Sequence, residues 1–193
     1  KIGPNAFYDC SYLENVEFTA NSELQSIETC TFYKTDIREI SIPSNVLKIC
    51  NSAFSECNNL EVVDIPTNSE LQVIDSYAFA SSKIEKIHIP SKLMELKNGW
   101  CAYTENLRII DISPFNNNFM LKDNSLLLGK SDQKSDNFDI LLFARRDIEE
   151  AHIPSNIKII SSFAFNHCND LKIIDIPTNS ELFEESTRFI LAD

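Results

Sequence analysis

One motif recurs through most of the 193 residues and sets what the chain can fold into. Residues 13–18 (LENVEF), 37–42 (IREISI), 60–65 (LEVVDI), 84–89 (IEKIHI), 107–112 (LRIIDI), 148–153 (IEEAHI) and 171–176 (LKIIDI) all read apolar-x-x-apolar-x-apolar. Ala151 is the one small substitute. The first residues of these units lie 24, 23, 24, 23, 41 and 23 positions apart. No unit this short buries its apolar face alone, so a constant period predicts neighbours stacked into a continuous core. The long interval is one period plus about 18 residues, which places a single insertion between Ile112 and Ile148.

The residues after each unit are equally regular. Pro43, Pro66, Pro90, Pro154 and Pro177 come directly after the last apolar position, where a residue without an N–H ends a strand ladder. Asn21, Asn45, Asn68, Asn156 and Asn179 stand three residues past that apolar position and are expected to satisfy backbone groups of the turn. The unit therefore reads L-x-x-L-x-L-x-x-N, a leucine-rich repeat signature. A second pattern fills the other half: Ala6-Phe7, Ala53-Phe54, Ala78-Phe79 and Ala164-Phe165, with Thr31-Phe32 as a variant. Cys10, Cys57 and Cys168 lie three residues before a strand's first Leu. On the combined motif I-P-x-N … A-F-x-x-C-x-x-L the chain resembles the BspA-type (Treponema pallidum-type) leucine-rich repeat family. That resemblance implies a curved recognition solenoid, often on a cell surface and adhesin-like, with no catalytic residues to carry over.

The expected fold is an α/β leucine-rich repeat solenoid: a curved right-handed coil with a parallel β-sheet on the concave face and one β-hairpin insertion. Residues 1–118 form the first part of the array, 119–147 the insertion and 148–193 the continuation. The sequence begins and ends inside repeats without a polar cap, which predicts an array truncated at both ends, or end-to-end contacts through uncapped repeats.

Composition narrows function by exclusion. A formal charge of −12 repels phosphate backbones, so nucleic acid is not an expected partner. No apolar run reaches the roughly 20 residues needed to span a bilayer. Three scattered glycines, Gly3, Gly99 and Gly129, build no phosphate-cradling loop, and no cofactor is expected. The six cysteines contain no C-x-x-C, and equivalent positions two layers apart are too distant to bridge, so they read as small buried apolar residues. With no N-x-S/T sequon, the cysteines are also compatible with an intracellular home, against the surface location that the resemblance implies.

Candidate binding residues come from the outward strand positions. One stripe reads Glu17, Ser41, Asp64, His88, Asp111, His152, Asp175. Its Asp–His alternation suits complementary charge, with a pH-sensitive patch or a metal site at His88, Asp111 and His152 as sharper readings. The other stripe reads Asn15, Glu39, Val62, Lys86, Ile109, Glu150, Ile173, where Val62, Ile109 and Ile173 are apolar yet expected to face solvent. Val62, Asp64, Lys86, His88, Ile109, Asp111, Glu150, His152, Ile173 and Asp175 together form the expected protein-binding surface.

Other features are secondary. Trp100 replaces a repeat Ala, as a packing adjustment or an exposed anchor. His167 is expected to be solvated in a turn, and Arg145-Arg146 to be solvated or salt-bridged. In the insertion, Ser125-Leu-Leu-Leu-Gly129 and Asp139-Ile-Leu-Leu-Phe143 flank a polar loop, the pattern of a hairpin that either spaces the array or projects to bind. The sequence supports a non-enzymatic protein-interaction module that binds a protein ligand through the concave face. The alternative is an intracellular scaffold that clamps or arranges other proteins.

Overall fold

A computed structural model describes residues 1–19 and 21–182. Alternation decides the first ladder. At β4 (Val62–Asp64) the middle residue is buried and both neighbours are exposed, and β2 (Glu39–Ser41) and β12 (Glu150–His152) repeat that pattern. With β6 (Lys86–Ile89), β8 (Ile109–Ile112) and β14 (Ile173–Asp175) these strands pair in parallel as β2–β4, β6–β8 and β12–β14. Ile40 lies opposite Val63, and Ile87 opposite Ile110, so inward residues stack on inward residues. A second ladder comes from the short apolar segment of each repeat. There β1 (Ser26–Ile27), β3 (Lys48–Ile49), β5 (Val73–Ile74) and β7 (Glu95–Leu96) form a four-stranded parallel sheet, each burying its second residue.

The rest of each layer is a turn built on two left-handed residues four positions apart. They are Asn5 and Asp9, Cys30 and Lys34, Ser52 and Glu56, Tyr77 and Ser81, Gly99 and Tyr103, and Phe163 and His167, with φ between 52° and 67°. Such residues interrupt any right-handed helix. No helix occurs among the described residues, so the α/β class expected from the sequence is corrected to an all-β coil of about seven turns. The turns are themselves hydrogen-bonded from layer to layer. Phe7 N–H donates to Thr31 C=O, Phe32 to Ala53, Phe54 to Ala78 and Phe79 to Trp100, at 2.8–2.9 Å. The second left-handed residue does likewise, Lys34 to Ser55, Glu56 to Ala80 and Ser81 to Ala102.

Between the ladders and these turns lies the core. Phe7, Phe32, Phe54 and Phe79 stack face to face with centroids 5.3–5.5 Å apart, and the last three are fully buried. Trp100, at the repeat's Ala position, joins the same core: it is 2% exposed, and its ring lies 6.1 Å from Phe143. That makes it a packing residue and not an anchor. Two of the recurrent asparagines bond across layers. Asn45 Nδ2 donates to Ser22 C=O and Asn156 Nδ2 to Phe138 C=O. Buried Asn116 Nδ2 donates to Pro90 and Leu93 C=O.

The insertion is more deeply embedded than a projecting hairpin. Three antiparallel strands are found, β9 (Met120–Lys122), β10 (Leu126–Gly129) and β11 (Ile140–Ala144). Asp123 and Asn124, both left-handed, lie in the three-residue link between Lys122 and Leu126, where Ser125 N–H donates to Lys122 C=O at 3.0 Å. All four residues of β10 are buried: Leu127 packs into the N-terminal part of the core, and Leu126 and Leu128 into the C-terminal part. β11 in turn pairs in parallel with β13 (Ile159–Ile160), taking the place of a second-ladder strand. Only the loop around 130–138 stays largely outside the packed layers. Its base is held by Asp139, which accepts from Ser131 N–H at 2.8 Å and Oγ at 2.6 Å and pairs with Lys158 at 3.3 Å. Burial opposes the Asp139 charge, but these donors outweigh it and hold the carboxyl below its usual range.

β11 brings no equivalent of the paired left-handed turn, so the turns at 99–103 and 163–167 meet directly. The Asn166 side chain supplies the missing acceptor, receiving Tyr103 N–H at 2.7 Å. Gly99 sits between rings, where an added Cβ would lie 3.0 Å from Tyr77 and 3.2 Å from Phe163 at φ +67°.

Three substitutions test this packing, each by urea unfolding. Phe54→Ala opens a cavity in the stack and costs about 3–5 kcal/mol. Gly99→Ala costs more than about 1 kcal/mol through backbone strain and ring contact, and Asn166→Leu costs about 0.5–1.5 kcal/mol by removing the exposed acceptor of the Tyr103 N–H. Because the Asp139 pKa is lowered on folding, its stabilisation is complete above the unfolded pKa and drains away as pH falls through the folded one. Asp139→Asn therefore narrows its stability deficit as the pH drops below about 4.

Candidate protein-binding face

The first ladder presents three outward columns. Glu61, Glu85 and Arg108 represent the position after the first apolar residue; Val62, Lys86 and Ile109 the next; Asp64, His88 and Asp111 the position before the last apolar residue. All of these are exposed except His88, which is half-buried. Val62, Ile109 and Ile173 are 50%, 53% and 50% exposed, large fractions for branched aliphatic side chains on a regular sheet. Register sets their neighbours: Val62 lies opposite Glu39, Ile109 opposite Lys86, and Ile173 opposite Glu150.

The expected residues divide into two groups. Val62, Asp64, Lys86, His88, Ile109 and Asp111 occupy the adjacent strands β4, β6 and β8, whereas Glu150, His152, Ile173 and Asp175 lie on the separate pair β12–β14. The embedded meander enters the chain between these groups. Between β4 and β6 the regular ladder is interrupted, and a shallow dent of about 580 Å3 opens there, lined by Glu61, Val62, Asp64, Glu85, Lys86 and His88 among others. Glu61 and Glu85 were outside the sequence-derived set, although their place after the first apolar residue marks them as outward.

Each histidine pairs with the aspartate of the following layer. His88 Nδ1 is 3.0 Å from Asp111 Oδ2, and His152 Nδ1 is 3.4 Å from Asp175 Oδ2, with Glu150 at 3.8 Å from His152 Nε2. These are cross-strand side-chain pairs between adjacent layers. His88 and His152 belong to different strand pairs, so the triad His88, Asp111 and His152 does not gather around one point. No cluster of three His, Cys, Asp or Glu with metal-holding geometry occurs among the described residues.

Two polar residues differ from expectation. Arg145 is salt-bridged to Asp147 at 2.7 Å, but Arg146 is 3% exposed. Its guanidinium donates to Thr104 and Ala164 C=O and lies 4.3 Å over the Phe143 ring, where carbonyl dipoles and the ring face compensate its desolvation. His167 is half-buried, edge-on to Tyr103 and 3.6 Å from Glu105. Nothing in the local sequence signals either contact, because both cross the insertion.

All six cysteines are free, and three are buried: Cys50, Cys57 and Cys101. Cys57 Sγ donates to Phe32 C=O at 3.0 Å, a bond that ties successive layers. Burial pushes the Cys101 thiol up to about 12, against the nearby Arg146 charge.

Parallel ladders on a period of two dozen residues, a phenylalanine stack and an asparagine-linked turn define a leucine-rich repeat solenoid. The chain belongs to the BspA type leucine rich repeat family, which it matches in six copies over residues 1–126 and 136–187. Among solved structures it is similar to the pneumococcal vaccine antigen PcpA, with 24% identity and a TM-score of 0.81 over 92% of this chain and 43% of that one. It is also similar to a leucine rich cell surface protein from Faecalibacterium prausnitzii, with 20% identity and a TM-score of 0.65 over 90% of this chain and 54% of that one. A third likeness is a leucine-rich repeat protein from Eubacterium ventriosum, with 23% identity and a TM-score of 0.64 over 83% and 47% of the two chains. The chain thus spans about half the length of these proteins. No match is found among curated proteins. No helix of the described residues is long and apolar enough to cross a membrane.

Exposure orders thiol reactivity. In the folded protein at pH 8, iodoacetamide modifies exposed Cys10 first, while Cys57 and Cys101 react only after denaturation, as read by peptide mass spectrometry.

Proposed function

We propose that the chain is a non-enzymatic protein-interaction module, adhesin-like, that binds a protein ligand through its first-ladder face, the concave side of the coil. The observation that carries this reading is the half exposure of Val62, Ile109 and Ile173 on a face that is otherwise polar and mostly charged. An apolar centre with a polar rim is the anatomy of a recognition surface. The strands hold these side chains at fixed spacing, so little conformational entropy is lost on docking. The pneumococcal antigen and the Faecalibacterium cell surface protein support a surface or extracellular setting. In this reading residues 1–118 and 148–193 provide the recognition layers, 183–193 lying outside the described residues, and 119–147 joins them.

The test is binding of the purified protein to a panel of extracellular-matrix and cell-surface proteins by surface plasmon resonance. The double variant Val62→Glu with Ile109→Glu, folded by circular dichroism, weakens capture of the partner by at least about tenfold. Unchanged binding removes the first-ladder face as the site.

A further inference from the structure

Charge on this face names the partner's chemistry, an inference that rests on the protein-binding role proposed for it. The three outward positions of the seven repeat units comprise 21 residues and carry ten carboxylates against four Lys or Arg. That is a formal −6, half of the whole chain's −12 on about a ninth of its residues. The concentration is greatest at the dent between β4 and β6. Glu61, Asp64, Glu85 and Asp111 surround it, with Lys86 the one lysine.

Several carboxylates elsewhere are engaged: Asp75 with Lys48 at 2.7 Å, Glu70 with Lys92 at 2.6 Å, and Asp147 with Arg145. Among the described residues Glu61, Asp64 and Glu85 form no ion pair, and Asp111 has only His88. Lys86 likewise forms none; it lies opposite Ile109 of β8 and borders the dent that opens toward β4. The layers on either side of it hold Val62 and Ile109, so the half-exposed aliphatic side chains and the unpaired carboxylates share one patch.

We infer that this patch receives a cationic partner: a protein segment whose Lys or Arg side chains flank an apolar centre. Such a segment buries its aliphatic residues on Val62 and Ile109 while its cations relieve the mutual repulsion of the four carboxylates. An acidic partner would bring like charges together, a repulsion that the apolar contact does not offset. The same charge rejects nucleic acid. Association is steered, and it weakens as salt rises.

The probes are three short peptides: Lys alternating with Leu, Glu alternating with Leu, and Lys alternating with Ser. Binding is read by backbone amide shifts of the isotope-labelled protein. The Lys–Leu peptide shifts the amides of Val62, Lys86 and Ile109 and binds at least roughly tenfold more tightly than either of the others. Asp64→Asn with Glu85→Gln and Asp111→Asn, all at exposed positions, lowers that affinity by roughly tenfold and flattens its salt dependence. Equal binding of the Glu–Leu peptide to the same amides overturns the cationic assignment and leaves the docking face standing. Equal binding of the Lys–Ser peptide overturns the apolar centre and the proposal with it. If no probe shifts these amides, the docking face itself falls.

Discussion

The turns of this coil bond to one another through their backbones, and that constraint orders everything else. Each turn presents N–H groups to the carbonyls of the next turn, as Phe54 does to Ala78 and Glu56 to Ala80. The donors line up only if each layer repeats the same pair of left-handed residues at the same offset. Once they do, each phenylalanine falls on the one before it and the strand residues fall into register. The exception supports the rule. At the level of β11 the turn is missing, and the unfilled place opposite Tyr103 is taken by the Asn166 side chain.

The face arises from the same regularity. A period-two strand locked in register places every outward residue in a column, so single residues in the repeat are multiplied into a surface. Charge at three positions of the motif becomes an acidic face, and aliphatic residues at one of them become a row. The meander breaks this surface into two groups of strands and sets the extent of any continuous contact.

Much of this was legible from the residues. The period gave the layers, and the alternation in VVD and IID identified Val62, Ile109 and Ile173 as outward. Other parts were not. The left-handed positions carry Asn, Cys, Ser, Tyr, Phe and only one Gly, so no residue type announces them, and the expected helical component is absent from the described residues. The run Leu126-Leu-Leu-Gly129 has no polar alternation, which is the signature of a strand covered on both faces. Its pairing with Ile140–Ala144 follows the expected hairpin, but a hairpin read as a spacer or a projecting element missed its burial. Arg146 reads as a surface charge, because its carbonyl partners come from residues 18 and 42 positions away.

A stack that contacts only its neighbours passes a local fault from one layer to the next. The β10 strand splices the two parts of the stack, since Leu127 packs in one interior and Leu126 and Leu128 in the other. Beside it the turns at 99–103 and 163–167 are tied through Tyr103 and Asn166. A disturbance on one side of the break is therefore felt on the other, as it is between ordinary layers.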